Sequence, residues 1–206
     1  MANVNADYST ILNSATEVRS LASNINTKLL TIYSEFKALT PNDYLGKSYN
    51  DSATVFNSYV TTLNEALTFF VKELPTSLEQ WGNNLKAADN SESAKAAQED
   101  SPRQIENISI GDPGTNPVFH SEKILDYRSN LESYSTDISN DIDSITNSVK
   151  SIVYGDEDDV SAGNISKVNN YSNTIREAIA TIKRNIDTEL ETHGVNFKSY
   201  VNADQL

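Results

Sequence analysis

Apolar residues recur along residues 7–39 at Val18, Leu21, Ile25, Leu29, Ile32, Phe36 and Leu39, always three or four apart. That spacing is the period of one face of an amphipathic α-helix. The same series of steps returns at Leu131, Tyr134, Ile138, Ile142, Ile145, Val149 and Ile152, each 113 positions after its counterpart. Two further stripes follow the same period. Residues 46–88 carry Val55, Phe56, Tyr59, Leu63, Ala66, Leu67, Phe70, Leu74, Leu78, Trp81 and Leu85 on one face, and a last helix is expected from about Ser161 to Ala203. No segment alternates as a half-buried strand would. The pattern predicts an all-α fold.

A second set of matches points to duplication. The stretch LEQWGNNLK at 78–86 resembles LETHGVNFK at 190–198, and Leu63–Leu67 resembles Ile175–Ile179, both at an offset of 112. Each repeat then reads as helix, turn, helix. Residues 1–92 form the first hairpin, 93–118 an acidic linker containing Pro and Gly, and 119–206 the second hairpin. Two long antiparallel helical hairpins in tandem can close as a four-helix bundle or lie end to end as an elongated helical body. Gly82 and Gly194 are expected where helices approach closely, since Gly inside a helix costs about 1 kcal/mol relative to Ala. Trp81 beside Gly82 reads as a packing anchor.

Local signals bound these elements. Asp7 is a suitable N-cap, Thr40-Pro41-Asn42-Asp43 stops the first helix, and Pro75 should kink the second near Val71–Leu74. The linker reads as a mobile loop, with Ile105, Ile108 and Ile110 as its candidates for docking on a helix.

Composition narrows the function. Residues 89–159 hold 16 acidic and five basic side chains, so most of the net charge of −13 lies there. A field of that sign repels nucleic acid and anionic membrane surfaces. The chain has no cysteine, which excludes disulfides and thiolate chemistry. No basic segment with an apolar run opens the sequence and no stretch is apolar enough to span a bilayer, so a soluble protein that does not use the general secretory signal is expected. Chemistry-bearing patterns are sparse. The two histidines, His120 and His193, are far apart, and no serine is paired with either in a recognisable pattern. Glu189 and His193 share a helix face but lack a third ligand, and Asp156-Glu157-Asp158-Asp159 lacks the ligand spacing of a calcium loop. Neither enzyme activity nor a cofactor or metal is expected.

Two short motifs remain. Tyr44-Leu45-Gly46 lies in the turn between the first two long helices, and Tyr200 and Asp204 stand four apart near the end of the last helix. An aromatic-x-Gly turn between antiparallel helices, with a distal Tyr-x-x-x-Asp/Glu, resembles the WXG superfamily of type VII secretion substrates. The Gly46-Lys47 turn, the proline in the second helix and the acidic linker also resemble the LXG domains that lead large bacterial toxins. This sequence departs from the pattern in several places. Tyr44 replaces the usual Trp, the second repeat has only Val153-Tyr154-Gly155 or Ser161-Ala162-Gly163 at its turn, and Ala88 and Glu92 stand where the first repeat would carry the tail motif. The resemblance implies a non-enzymatic protein, exported folded from the cytoplasm by the type VII route and acting through helical protein–protein contacts. Its partners would be the secretion ATPase, engaged through Tyr200 and Asp204, and a small helical protein of the same superfamily. An intracellular helical adaptor or scaffold is the competing reading.

Overall fold

The computed structural model describes residues 7–112, 114, 116–152 and 159–195, and the side chains of all of these except 159–162. The protein is predominantly helical. Helix α1 (Tyr8–Ala38) opens at Asp7, whose carboxylate accepts from the Ser9 N–H at 2.9 Å, as an N-cap should. A turn leads to β1 (Tyr44–Leu45), and the second arm follows as α2 (Lys47–Ser58), α3 (Val60–Thr68), a π-helical turn at Phe69–Glu73 and α4 (Leu74–Asn90). After the linker come β2 (Val118–Phe119), α5 (Ser121–Ser151) and α6 (Asp159–Thr192). The two short strands pair antiparallel, Tyr44 opposite Phe119 and Leu45 opposite Val118. Two residues per strand are too few to leave any alternation in the sequence.

Helix α1 packs against α4 and α5, α5 against α6, and α6 against α2 and α3. One buried cluster takes side chains from every one of these helices. The expected stripe of α1 is buried except Leu21, which is half-buried; in α5 its counterpart Tyr134 is half-buried too. Helices α1 and α5 are each 31 residues long and start and end 113 positions apart. Their contacts are reciprocal. Glu17 accepts from Ser148 at 2.9 Å, while Asn130 donates to Glu35 at 3.3 Å; at the offset of 113, Ser148 is the counterpart of Glu35 and Asn130 that of Glu17. Lys28 meets its own counterpart, Asp141, at 3.2 Å. Position i touching j while j touches i is the signature of a twofold, self-complementary contact.

The structure modifies the sequence reading of the second arm. Pro75 has no N–H for the carbonyl one turn earlier, and the helix meets this by widening just before it. The Leu74 N–H bonds the Phe69 carbonyl, five residues back. The extra residue rotates the inward face, so Phe69, Phe70 and Val71 are all buried in succession. Periodicity at 3.6 residues selects Phe70 alone. Phe69 stacks on Tyr171 of α6 with ring centroids 4.9 Å apart.

The linker is not an unattached loop. Residues 97–111 form an extended strap along the groove between α1 and the second arm, held by side chains of Asn26, Asn50, Asn57 and Asn64. Ile105 and Ile108 are buried beneath it, whereas Ile110 stays 51% exposed. Arg19 ties the upstream part, bonding Glu79 at 2.8 Å and also Asp100.

Gly82 and Gly194 do different work, contrary to the expectation of one duplicated packing role. A Cβ on Gly82 would lie 2.8 Å from Leu12 Cγ and Cδ2, so α1 and α4 approach closely there, with the neighbouring Trp81 half-buried against the core. Gly194 has φ +76 and open space around it. It ends α6: its N–H bonds the Glu191 carbonyl at 3.0 Å and the Val195 N–H bonds the Leu190 carbonyl at 2.9 Å. This is the Schellman pairing, with Val195 packed against the core. The last helix therefore stops at Thr192, short of the expected Ala203. Gly82→Val is expected to lower stability by about 2 kcal/mol through overpacking, and Gly194→Ala by about 1 kcal/mol through left-handed strain. Urea unfolding measures both; a neutral Gly82→Val would contradict the close approach to Leu12.

Candidate functional site

The turn motif is the sequence-selected feature that the structure surrounds most fully. After α1, the Asp43 and Tyr44 N–H groups both return to the Leu39 carbonyl, at 2.8 and 2.9 Å, which folds the chain back. Gly46 then takes φ 111 and ψ −162, a conformation open in practice only to glycine, and starts α2. The β1–β2 pair is extended by the His120 N–H, which donates to the Asp43 carbonyl at 2.8 Å, and His120 Nδ1 lies 3.1 Å from Asp43 Oδ1.

Tyr44 is fully buried in this turn. Its ring meets Phe36, Tyr49 and Phe119 edge-on, with centroids 6.1, 5.5 and 5.5 Å away. Its hydroxyl bonds Ser48 at 3.1 Å and Ser52 at 3.2 Å. Burial pushes the phenol up to about 12, against a smaller opposite pull from the two serine hydroxyls. The side chain that stands where the WXG pattern has Trp is thus a packing element. The surface of the turn is left to half-buried Leu45 and exposed Lys47.

The end of α6 joins the same cluster. Ser48 donates to Glu189 and its Oγ lies 3.4 Å from His193 Nε2. The His193 ring stacks on Phe119, with centroids 3.7 Å apart and planes 17° from parallel. Glu189 and His193, expected as an isolated surface pair, instead clasp α2 and β2, and a serine does meet a histidine. Sequence spacing could not show this, since Ser48 and His193 are 145 positions apart. The contact of 3.4 Å is long for a hydrogen bond, while the Ser48 proton goes to Glu189. The arrangement fastens the end of α6 to the turn.

The other expected residues are distributed as follows. Trp81 and Gly82 lie on α4 against α1, away from the turn cluster, whereas Gly194 caps the helix that enters it. Tyr200 and Asp204, together with Tyr154 and Gly155, lie outside the described residues. Among the described residues no group of three or more His, Asp or Glu side chains could hold a metal ion, and no helix is long and apolar enough to cross a membrane. No family model, curated protein or solved structure matches this chain.

Removing only the phenol oxygen, in Tyr44→Phe, is expected to cost about 1 kcal/mol for its two serine bonds, and Tyr44→Ala about 3–5 kcal/mol for the cavity. Burial also raises Tyr33 and Tyr127. In the unfolded chain tyrosine ionises near pH 10, at about its model value. Above that pH the native state retains protons that the unfolded state loses, so stability is full below about pH 10 and falls as pH rises towards 12. Tyrosinate absorbance should show a late-titrating class, smaller by one residue in Tyr44→Phe. Ionisation of all ten tyrosines together near pH 10 in folded protein would contradict the burial of Tyr44.

Proposed function

We propose that this protein is a substrate or targeting module of a bacterial type VII secretion system, exported folded and acting through helical contacts. In this reading the body is a tandem pair of hairpins closed as a four-helix bundle, one chain supplying both halves of a two-hairpin unit. The equal lengths of α1 and α5 and their reciprocal contacts support that reading.

The observation that carries the proposal is the seating of the turn against the end of α6. Ser48, just after Tyr44-Leu45-Gly46, bonds Glu189, and Phe119, paired with Tyr44, stacks on His193. The Tyr200/Asp204 motif follows in sequence five positions after Val195. The single preserved turn motif is thus seated against the end of the helix after which, in sequence, the single preserved tail motif of the other repeat follows. A secretion ATPase would engage Tyr200 and Asp204 as a ring beside a charge, while the buried Tyr44 serves the packing of the turn.

The test is export from a host with an active type VII system. Tyr200→Ala and Asp204→Ala should each abolish secretion while leaving the helical circular dichroism signal and the melting temperature unchanged. Continued secretion of both variants would remove Tyr200 and Asp204 as the export signal, and absence of the unaltered protein from the medium would remove the export reading and leave the intracellular adaptor. A membrane-bound type VII ATPase encoded beside the gene would be the corresponding genomic observation.

A further inference from the structure

Residues 97–111 are held in the way that a receptor holds an extended peptide. Asn64 Nδ2 donates to the Ile105 carbonyl at 2.9 Å and its Oδ1 accepts the Ile105 N–H at 2.8 Å. Asn57 clasps Ile108 in the same two-point manner, at 2.9 and 2.7 Å. Asn26 clasps Arg103 at 2.8 and 3.0 Å, and Asn50 donates to the Gly111 carbonyl at 2.8 Å. A primary amide that bonds both the N–H and the C=O of one residue replaces the neighbouring strand that an extended chain otherwise needs.

The spacing makes these contacts a ladder. Asn50, Asn57 and Asn64 are seven apart, or about 10.5 Å along a helix. Their partners Gly111, Ile108 and Ile105 are three apart, or about 9–10 Å of extended chain. The two repeats agree, so a helix groove and an extended segment stay in register over several steps. On the α1 side the same step recurs, from Arg19 with Asp100 to Asn26 with Arg103. The asparagine contacts address main-chain atoms and are blind to side-chain identity. Selectivity rests on two pockets, filled by Ile105 and Ile108, each 3% exposed, while Gln104, Glu106 and Asn107 between and beside them face solvent.

We propose that this groove is a binding site for an extended peptide of a partner protein carrying two aliphatic residues three positions apart, and that residues 97–111 are its resident occupant. The chemistry of the occupant defines the ligand: an extended backbone, an aliphatic-x-x-aliphatic pair, and an acidic residue upstream for Arg19. The strap contributes two buried side chains to the core and otherwise lies outside it, so it can leave without opening the helices. Tethered, it competes at an effective concentration of roughly millimolar. The proposal does not rest on the export reading, and its test is independent of export.

The experiment uses the full chain with residues 97–111 replaced by a Gly-Ser segment of equal length, and a fluorescein-labelled synthetic peptide of sequence AQEDSPRQIENISIG. Fluorescence anisotropy should show the replaced chain binding at least about 100-fold more tightly than the wild-type chain, in which the strap competes. A peptide with Ile105→Asp and Ile108→Asp should not bind. A peptide keeping those two isoleucines and the aspartate at position 100, with every other residue changed, should bind within about tenfold, as backbone-directed recognition requires. Adding Asn57→Ala and Asn64→Ala to the replaced chain should weaken binding by about tenfold or more. A replaced chain with wild-type helical content that binds no more tightly than wild type overturns the proposal, as does failure of the changed-sequence peptide. If the replaced chain does not fold, amide exchange in the wild-type chain decides. The Ile105 and Ile108 N–H groups should exchange by local opening, well before the amides of α1; exchange only with global unfolding would make the strap a fixed part of the core and overturn the inference.

Discussion

The rest of the structure depends on covering the apolar stripe of helix α1 from two directions. The helix lies against α4 on one side and α5 on the other, and Ile11, Val18, Ile25, Ile32 and Phe36 are almost wholly withdrawn from water. Burial of a side chain of that size is worth about 1.5–3 kcal/mol relative to exposure. No single neighbouring helix could cover the whole surface. The second arm therefore folds back along α1, and α5 closes the opposite side with the reciprocal contacts at Glu17, Lys28 and Glu35. Helix α6 then covers what α5 and the second arm leave open.

Two irregularities follow from fitting the second arm into this space. The π turn ahead of Pro75 removes the conflict between a proline and a continuous α-helical ladder, and in doing so turns Phe69 towards Tyr171 of α6. The groove that remains between α1 and the second arm is not filled by large side chains from either. It is lined by asparagines, which are poor residues for a helix interior, and it is filled by Ile105 and Ile108 from the strap. The acidic segment is thus partly a structural component: Asp100 meets Arg19, and Glu99 meets Lys72 at 3.1 Å.

At the end of the molecule that holds the turn, burial and exposure alternate among neighbouring residues. Tyr44 gives its whole side chain to packing and two hydroxyl partners, which leaves Leu45 half-buried and Lys47 exposed at the surface of the turn. The Schellman cap at Gly194 fixes the direction in which the chain leaves α6, beside Phe119 and the turn.

The helices and their inward faces were legible in the sequence because a 3.6-residue period is a local property. Asp7, the Thr40–Asp43 stop and the disturbance before Pro75 were legible for the same reason, each acting within a turn of its own position. The correspondence of α1 with α5 was also visible, as an offset that the two helices keep at both ends. What only the tertiary structure decided were relations between distant segments. The two-residue strands have no period to detect. Ser48, Glu189, His193 and Phe119 gather only because α2, α6 and β2 end at one place. The asparagines at 50, 57 and 64 were a visible heptad, but a heptad of polar residues reads equally as a solvated face until the strap is laid across it. Gly82 and Gly194 were alike in sequence and differ in role because α4 continues past the first while α6 ends at the second. Local periodicity determines which face of a helix turns inward; which distant segment comes to lie against it depends on the packing of all the helices at once.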